Sequence, residues 1–455
     1  MSEVIIAQTD KYTITNEKRG EGTFGSVYIG YFRQDPTQPL AFKIMKQQDK
    51  VTGFVQQNNI RELTFLSEVT EKVDLQTSPF VPLVDILLGD ILQVFRSQDD
   101  IKQSLIVVMP CYPVELSNLM YSQKMLKMPL DDMLMVSKKL LSLVYKMHKM
   151  GYAHRDLKHN NILVQQNWRF VLIDFGMVQF DPDMHAPDLP TDSVKTQPVQ
   201  SELDPRSTAL TALYWRPPEQ IFSKTQIIST PEHSQILKQM KNGYYSDSYV
   251  LGLMLLELHL GATVFRCQQP EEQGGLEELA AYQLFSDREF CVKTFLDLYK
   301  TKLSATGVLD KLNELNGSTF QDLSSATSWC KYTFQQLVLK ALLIKYWNDQ
   351  MDVTMFVKIQ SLRNIITQLL QFNVTKRKTV IEVLTDNPDF LAQDHYDFDK
   401  QLTEKYGLIK DQNKEKNKSV FLAALEKHDK KTEGFVLKRV ADVMDQDLEK
   451  WISFD

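Results

Sequence analysis

The stretch His154-Arg155-Asp156-Leu157-Lys158-His159-Asn160-Asn161, followed by Asp174-Phe175-Gly176, constrains this chain more than any other. Each polar group in it has a chemical use. Asp156 can take a proton from a hydroxyl, Lys158 can neutralise charge on a phosphoryl group in flight, and Asn161 with Asp174 can ligate a magnesium-nucleotide. At a background usage of about one in twenty per letter, the six fixed residues of H-R-D-L-K-x-x-N arise by chance only about once in 10⁷ to 10⁸ positions. The set is read as the parts that phosphoryl transfer requires, not as a polar surface loop.

Composition narrows the setting. With 455 residues and 43% hydrophobic content the chain can bury a sizeable core, but it is too long for one compact unit of ordinary size. Two lobes with additions are expected. A net charge of -6 and a pI near 5.8 argue against a general nucleic-acid or membrane-surface role, because phosphate backbones and anionic lipids call for basic surfaces. Proteins are the expected partners, with no nucleic acid and no membrane insertion. Cys111, Cys267, Cys291 and Cys330 are widely spaced and form neither a metal-ligand nor a disulfide-framework pattern, which fits a reducing compartment. Met1-Ser2-Glu3 lacks a basic n-region, the apolar run from Val4 to Ala7 is short, and Val250 to Leu256 falls far below spanning length. An intracellular protein, cytoplasmic or nuclear, is expected.

The loop, the Asp-Phe-Gly and their spacing resemble the catalytic core of eukaryotic protein kinases. The resemblance covers residues 12 to 390 and implies an α+β, bilobal protein kinase-like fold. That means a small antiparallel β-sheet lobe (12–110) with one major helix, and a larger, mostly helical lobe (113–390). Residues 1–11 then read as an N-terminal extension and 391–455 as a partly helical C-terminal extension.

In the small lobe, Tyr12-Thr13-Ile14-Thr15 alternates like a strand and leads to Gly20-Glu21-Gly22-Thr23-Phe24-Gly25. A Rossmann reading needs a helix after the glycines, but Ser26-Val27-Tyr28-Ile29-Gly30-Tyr31-Phe32 has strand-like spacing. A hairpin over a ligand is expected, with Gly20, Gly22 and Gly25 letting backbone N–H groups approach phosphates and Val27 completing the kinase-like pattern. Leu40-Ala41-Phe42-Lys43-Ile44-Met45 is a further strand holding one lysine among apolar residues, and a buried lysine needs a partner. Glu62 is the candidate, because Leu66 follows it by one helical turn. The resemblance implies that Lys43 holds the α- and β-phosphates while Glu62 orients Lys43. It also makes Met109 the gatekeeper, gives the Pro110 carbonyl and the Tyr112 backbone to adenine, and places Glu115 at a ribose hydroxyl. Leu163 is expected as the adenine floor, opposite Val27 and Ala41.

In the large lobe, Met133, Val136, Leu140, Leu143, Val144 and Met147 trace one face of a helix that Gly151 can end in a left-handed cap. Asn161 to Val164 and Phe170 to Ile173 form a hairpin turning near Asn167. The segment from Asp174 to Glu219 is long and closes on Tyr214-Trp215-Arg216-Pro217-Pro218-Glu219, similar to an A-P-E motif with Pro217 for alanine. Arg216 matches the cyclin-dependent and mitogen-activated group, whereas the threonine expected before Glu219 falls on Ala212, beside Thr211. Within this segment Ser207 and Thr208 are the expected sites where a phosphate pairs with Arg155 and orders the loop. Asp247-Ser248-Tyr249 resembles D-x-W, so Asp247 is expected to brace the backbone at His154 and Arg155. Arg377 resembles the late arginine that pairs with Glu219. Insertions are read at about 223–244 and within 261–377, with amphipathic helices at Ser419 to Leu425 and Phe435 to Trp451.

Lys158, two residues after Asp156, matches the serine/threonine branch. The implied activity is transfer of the γ-phosphoryl of ATP, with Mg2+, to a serine or threonine hydroxyl of a protein. An activating kinase or regulatory partner is implied as well. The alternative is a catalytically weak pseudokinase acting as a scaffold, which loss of Lys43, Asp156 or Asp174 would favour; all three are present. A small-molecule kinase is a further alternative, less suited to a glycine loop and a Pro-Pro-Glu segment together.

Overall fold

A computed structural model describes residues 5–21, 25–45, 54–72, 78–88, 93–94, 105–120, 122–180, 215, 217, 243–260, 352–371, 376–391 and 395–409. Gly22, Ser207, Thr208, Ala212, Arg216, Glu219, most of both insertions and the helices expected after residue 409 lie outside the described residues. The chain divides into two compact units. One comprises Met1–Leu116, Asn160–Gln179 and Asp399–Lys414; the other comprises Ser117–His159, Phe180–Phe398 and Glu415–Asp455.

The first unit is built on an antiparallel sheet of seven strands, β1 (Ile5–Gln8), β2 (Tyr12–Glu21), β3 (Gly25–Phe32), β4 (Pro39–Met45), β5 (Asp85–Leu88), β6 (Gln93–Val94) and β7 (Leu105–Pro110). Their order is β5-β7-β4-β3-β2-β1-β6. Side chains alternate across a strand, and Leu40, Phe42, Ile44, Ile106 and Val108 send one face into a core with Ile14 and Leu87. Lys43 falls between Phe42 and Ile44 and therefore points to the opposite face. Where β5 begins, the Asp85 carboxylate accepts from Lys11 Nζ and Tyr12 Oη, each at 2.8 Å, so the β1–β2 turn is tied to the far margin of the sheet. An open depression of about 380 Å³ beside this tie is lined by Lys11, Tyr12, Arg33 and Asp85 among others, and contains none of the candidate nucleotide residues.

Residues 1–11, read as an N-terminal extension, contribute a strand to this sheet. Ile5–Gln8 pairs with both β2 and β6, and Ile6 and Ala7 are buried. A four-residue strand is too short to stand out in sequence, but its backbone groups are satisfied by two neighbours. The long helix α1 (Phe54–Lys72) of this unit buries Glu62, Phe65, Leu66 and Val69, a stripe at three- and four-residue spacing. Phe65 meets Phe175 at 4.2 Å and Phe80 at 5.6 Å between ring centroids. A second sheet joins β8 (Val114–Glu115), β9 (Ile162–Val164) and β10 (Phe170–Leu172), with β9 in the middle.

The second unit is mostly helical. Helix α2 (Leu130–Lys149) buries all six residues expected on its inner face, and Gly151 follows with φ 84°, the left-handed cap that only glycine adopts without strain. Helix α3 (Gly243–Leu260) is mostly apolar and buried on nearly every side, as a helix surrounded by protein is. It begins within the last two residues of the stretch read as an insertion at about 223–244, and Tyr244 is buried. Gly252 is dictated by close packing: a Cβ there would lie 2.8 Å from Leu370 and 3.0 Å from Leu369, at the end of α4 (Val353–Leu369). That helix buries Ile359, Leu362, Ile365 and Ile366, so part of the long span 261–377 belongs to the core. Helix α5 (Val380–Asp386) opens on a capping box in which Thr379 and Glu382 satisfy each other's backbone N–H groups.

The last described helix, α6 (His395–Tyr406), lies in the stretch read as a partly helical C-terminal extension. Residues Asp399–Lys414 belong to the sheet unit. Gly407, with φ 71°, caps the helix by donating to the Thr403 carbonyl, and Ile409 N–H then donates to the Gln166 carbonyl at 2.8 Å.

Candidate active site

In the sheet unit, Lys43 Nζ donates to Glu62 Oε1 and Oε2, both at 2.7 Å, and to Asp174 Oδ1 at 2.9 Å. The register that pairs Val27 with Lys43 and Lys43 with Val107 puts the lysine mid-sheet, and its side chain is only 9% exposed. An ammonium so buried is tolerable only with charged partners. Burial works to lower the Lys43 pKa, but the Glu62 and Asp174 carboxylates outweigh it and hold the value above that of a free lysine. The group stays ionised, with Glu62 buried and Asp174 28% exposed at its outer end.

Asp174 has φ 65°, a left-handed backbone that costs a non-glycine residue about 1–2 kcal/mol. Just before it, Ile173 N–H donates to the Asn161 carbonyl at 3.0 Å, which fixes these two positions on neighbouring chain segments. A side-chain amide oxygen and a partly exposed carboxylate are hard oxygen donors suited to Mg2+. Among the described residues no group of three or more His, Cys, Asp or Glu could hold a metal. A magnesium-nucleotide does not need one, since it brings phosphate oxygens and waters and takes one or two carboxylates from the protein.

The nucleotide candidates downstream are also gathered in this unit. Met109 pairs in register with Ala41 on β4, and Pro110 with Leu40 at the end of β7, where a missing N–H is harmless. Cys111 N–H donates to the Pro39 carbonyl at 3.2 Å. Glu115 lies opposite Leu163 in the β8–β9 pair, and its Oε2 accepts from Asn160 Nδ2 at 2.8 Å. Asn160 had no role in the sequence reading; its place next to Asn161 was the available hint. Tyr112 is half-buried, and that burial pushes its phenol up to about 12, against the nearby Arg169 charge and a hydrogen bond with Gln165. Val27, Ala41 and Leu163 are all partly buried. Of the glycines, Gly25 is forced by packing as well as by any ligand, because a Cβ there would lie 2.6 Å from the Ile44 carbonyl oxygen.

The helical unit holds the second group. Asp247 Oδ2 accepts from His154 N–H at 2.6 Å and Oδ1 accepts from Arg155 N–H at 2.8 Å. This is the bracing expected of Asp247, and it explains how Arg155 keeps a φ of 65°. His148 Nε2, 3.1 Å from Asp247 Oδ2, is a third contact that sequence reasoning missed. The signal was there, since His148 follows Val144 by one helical turn on the buried side of α2. His154 Nδ1 accepts the Asp156 N–H at 3.2 Å, and Lys158 Nζ donates to Asp156 Oδ2 at 2.7 Å. Asp156 and Lys158 are thus paired on a loop whose backbone is fixed from behind. Arg377 donates to the Gln371 and Tyr245 carbonyls and stacks 4.9 Å over Tyr249; its expected partner Glu219 lies outside the described residues.

His159 is buried here, and its Nε2 donates to the Met254 carbonyl at 3.2 Å. Burial lowers its pKa from 6.5 to about 4 despite that bond, so the imidazole is neutral at pH 7 and its 3.7 Å approach to Glu257 is no ion pair. The unfolded histidine therefore takes up a proton, as pH falls from 6.5 toward 4, that the folded one refuses. Stability is fully present above this window and declines through it, by at most about 3 kcal/mol for this one group. Urea unfolding at about pH 7 and about pH 4.5 should show the loss, and His159→Asn should shrink the difference between the two.

The curled antiparallel sheet with one long helix, the buried Lys43–Glu62 pair and the braced His154-Arg155-Asp156 loop together define a protein-kinase-like architecture. The family model described as "Protein kinase domain" matches residues 13–387, and the chain belongs to that family. Among curated relatives, the serine/threonine-protein kinase KIN28 of Saccharomyces cerevisiae is 29% identical over 175 residues, 38% of this chain and 49% of that protein. Cyclin-dependent kinase 9 of Xenopus tropicalis is 26% identical over 162 residues, 36% of this chain and 41% of that protein. The matched stretches thus span under half the length of these relatives. Among solved structures, the CAK complex from Chaetomium thermophilum bound to ATP-gamma-S aligns with 83% of this chain and 90% of that chain, at 18% identity and a TM-score of 0.44. Among the described residues no helix is long and apolar enough to cross a membrane.

Proposed function

We propose that this protein is a serine/threonine protein kinase that transfers the γ-phosphoryl of Mg-ATP to a hydroxyl of a protein substrate. The observation that carries the reading is the intact Lys43–Glu62–Asp174 group: a buried, ionised lysine held between two carboxylates, the outer one partly exposed. Lys43 steadies the α- and β-phosphates, and the residues from Met109 to Glu115 receive adenine and ribose. Asn161 and Asp174 would hold the metal ion, which would supply positive charge to offset that of the phosphates. Asp156 orients the acceptor hydroxyl and takes its proton, while Lys158 balances charge on the group in transfer. The cyclin-dependent names among the relatives support a regulatory protein partner, and the net charge of -6 supports protein substrates.

The test is a library of peptides with serine, threonine or tyrosine acceptors, incubated with the full chain and γ-labelled ATP. Label on serine or threonine, dependent on Mg2+, is the expected result. Absence of transfer to every peptide and to the chain itself, with ATP still bound, would instead support the scaffold reading.

A further inference from the structure

The β9–β10 turn, residues Gln165 to Arg169, is held from two sides within the sheet unit. On one side it reaches the segment assigned to adenine. Val164, next to Gln165, pairs in register with Val114, two residues after Tyr112, and Gln165 and Arg169 both act on the Tyr112 phenol. On the other side it reaches the C-terminal segment, beyond the residues matched by the family model. Trp168 Nε1 donates to the Gly407 carbonyl at 3.0 Å, its ring lies 5.8 Å from that of Tyr406, and the Gln166 carbonyl accepts from Ile409 N–H at 2.8 Å. Trp168 is fully buried and has φ 66°, and Ile409 is 4% exposed. A tryptophan kept in a left-handed turn persists only where its surroundings hold it there. Gly407 supplies that hold through its own left-handed backbone, and no described atom lies within 4 Å of where its Cβ would be.

We propose that Gly407 to Ile409 form a clasp on the β9–β10 turn that positions Tyr112, making Trp168 and the C-terminal segment determinants of nucleotide affinity. The inference rests on the proposed kinase function for its affinity readout, but not for its mechanical part. With the clasp closed, the turn presents Gln165 and Arg169 to Tyr112, and the connection from Met109 to Glu115 is held ready for adenine. With it open, the same residues are present but must be ordered by the nucleotide, which weakens binding without touching the groups that perform transfer.

The experiment uses the full chain with Gly407→Val, which disfavours the left-handed backbone without crowding a neighbour, and Gly407→Asn, which tolerates it. Trp168→Phe removes the N–H donor together with part of the buried ring. Gly407→Val and Trp168→Phe should raise KM for ATP by about threefold to tenfold, the worth of one or two lost hydrogen bonds, while kcat changes less than about twofold. Gly407→Asn should keep the native KM. Hydrogen exchange should quicken at the Ile409 amide and at the Cys111 amide together in Gly407→Val. An unchanged KM with a freed Ile409 amide overturns the proposal, as does an Ile409 amide that stays protected in both disrupting variants. If the unaltered chain binds no ATP, the functional reading fails, and exchange at Cys111 still decides whether the clasp reaches this segment.

Discussion

Asp156→Asn is expected to lower turnover by about 10²- to 10⁴-fold while changing ATP affinity by less than about threefold. An asparagine keeps the size of the side chain but cannot accept a proton from the acceptor hydroxyl. The effect should be confined to transfer, because the Asp156 N–H bond to His154 and the Asp247 contacts to His154 and Arg155 use backbone groups that the substitution leaves in place. Lys158 loses its carboxylate partner at 2.7 Å, so part of the decrease comes from a cation no longer held in position. Steady-state kinetics at several ATP concentrations, with a thermal-shift titration, separate the two quantities. Undiminished turnover contradicts the role given to Asp156.

Asp174→Asn should act on both quantities at once. The variant removes the charge proposed to serve a metal ion and one of the two carboxylates on Lys43 Nζ. Charge-assisted contacts of this kind are worth roughly 1.5–3 kcal/mol, so Mg-ATP affinity should fall roughly ten- to a hundredfold, with turnover falling as well. The fold should survive, because the two 2.7 Å bonds from Lys43 to Glu62 remain. Titration with ATP in Mg2+ and again in a chelator distinguishes the causes. The variant and the unaltered chain should differ most when Mg2+ is present; an equal loss in chelator would assign Asp174 to Lys43 alone.

These residues were legible in sequence because their chemistry is tied to consecutive letters or to a fixed period. Lys43 stood out as one charge in an apolar strand, and Glu62 was separated from its acidic neighbours by Leu66 one turn later, which is indeed buried with Phe65. Asp247 followed from a short motif at the head of an apolar helix. What stayed hidden is carried by backbone groups or by very short elements. Ile5–Gln8 is a strand only because β2 and β6 flank it. The clasp joins Trp168 to Gly407 across 239 positions through a carbonyl, and a carbonyl has no letter of its own. His148 was hidden differently, since a histidine on a buried helix face is equally consistent with ordinary packing until Asp247 is found beside it.

The central claim is a division of labour: Lys43, Glu62 and Asp174 handle the nucleotide, and Asp156 with Lys158 handles the acceptor. Its most direct measurement is Mg-ATP affinity and turnover of Asp156→Asn and Asp174→Asn, side by side on the full chain. The account predicts native affinity with collapsed turnover for Asp156→Asn, and loss of both for Asp174→Asn. Native affinity in Asp174→Asn, or an affinity loss in Asp156→Asn as large as its loss of turnover, would contradict it.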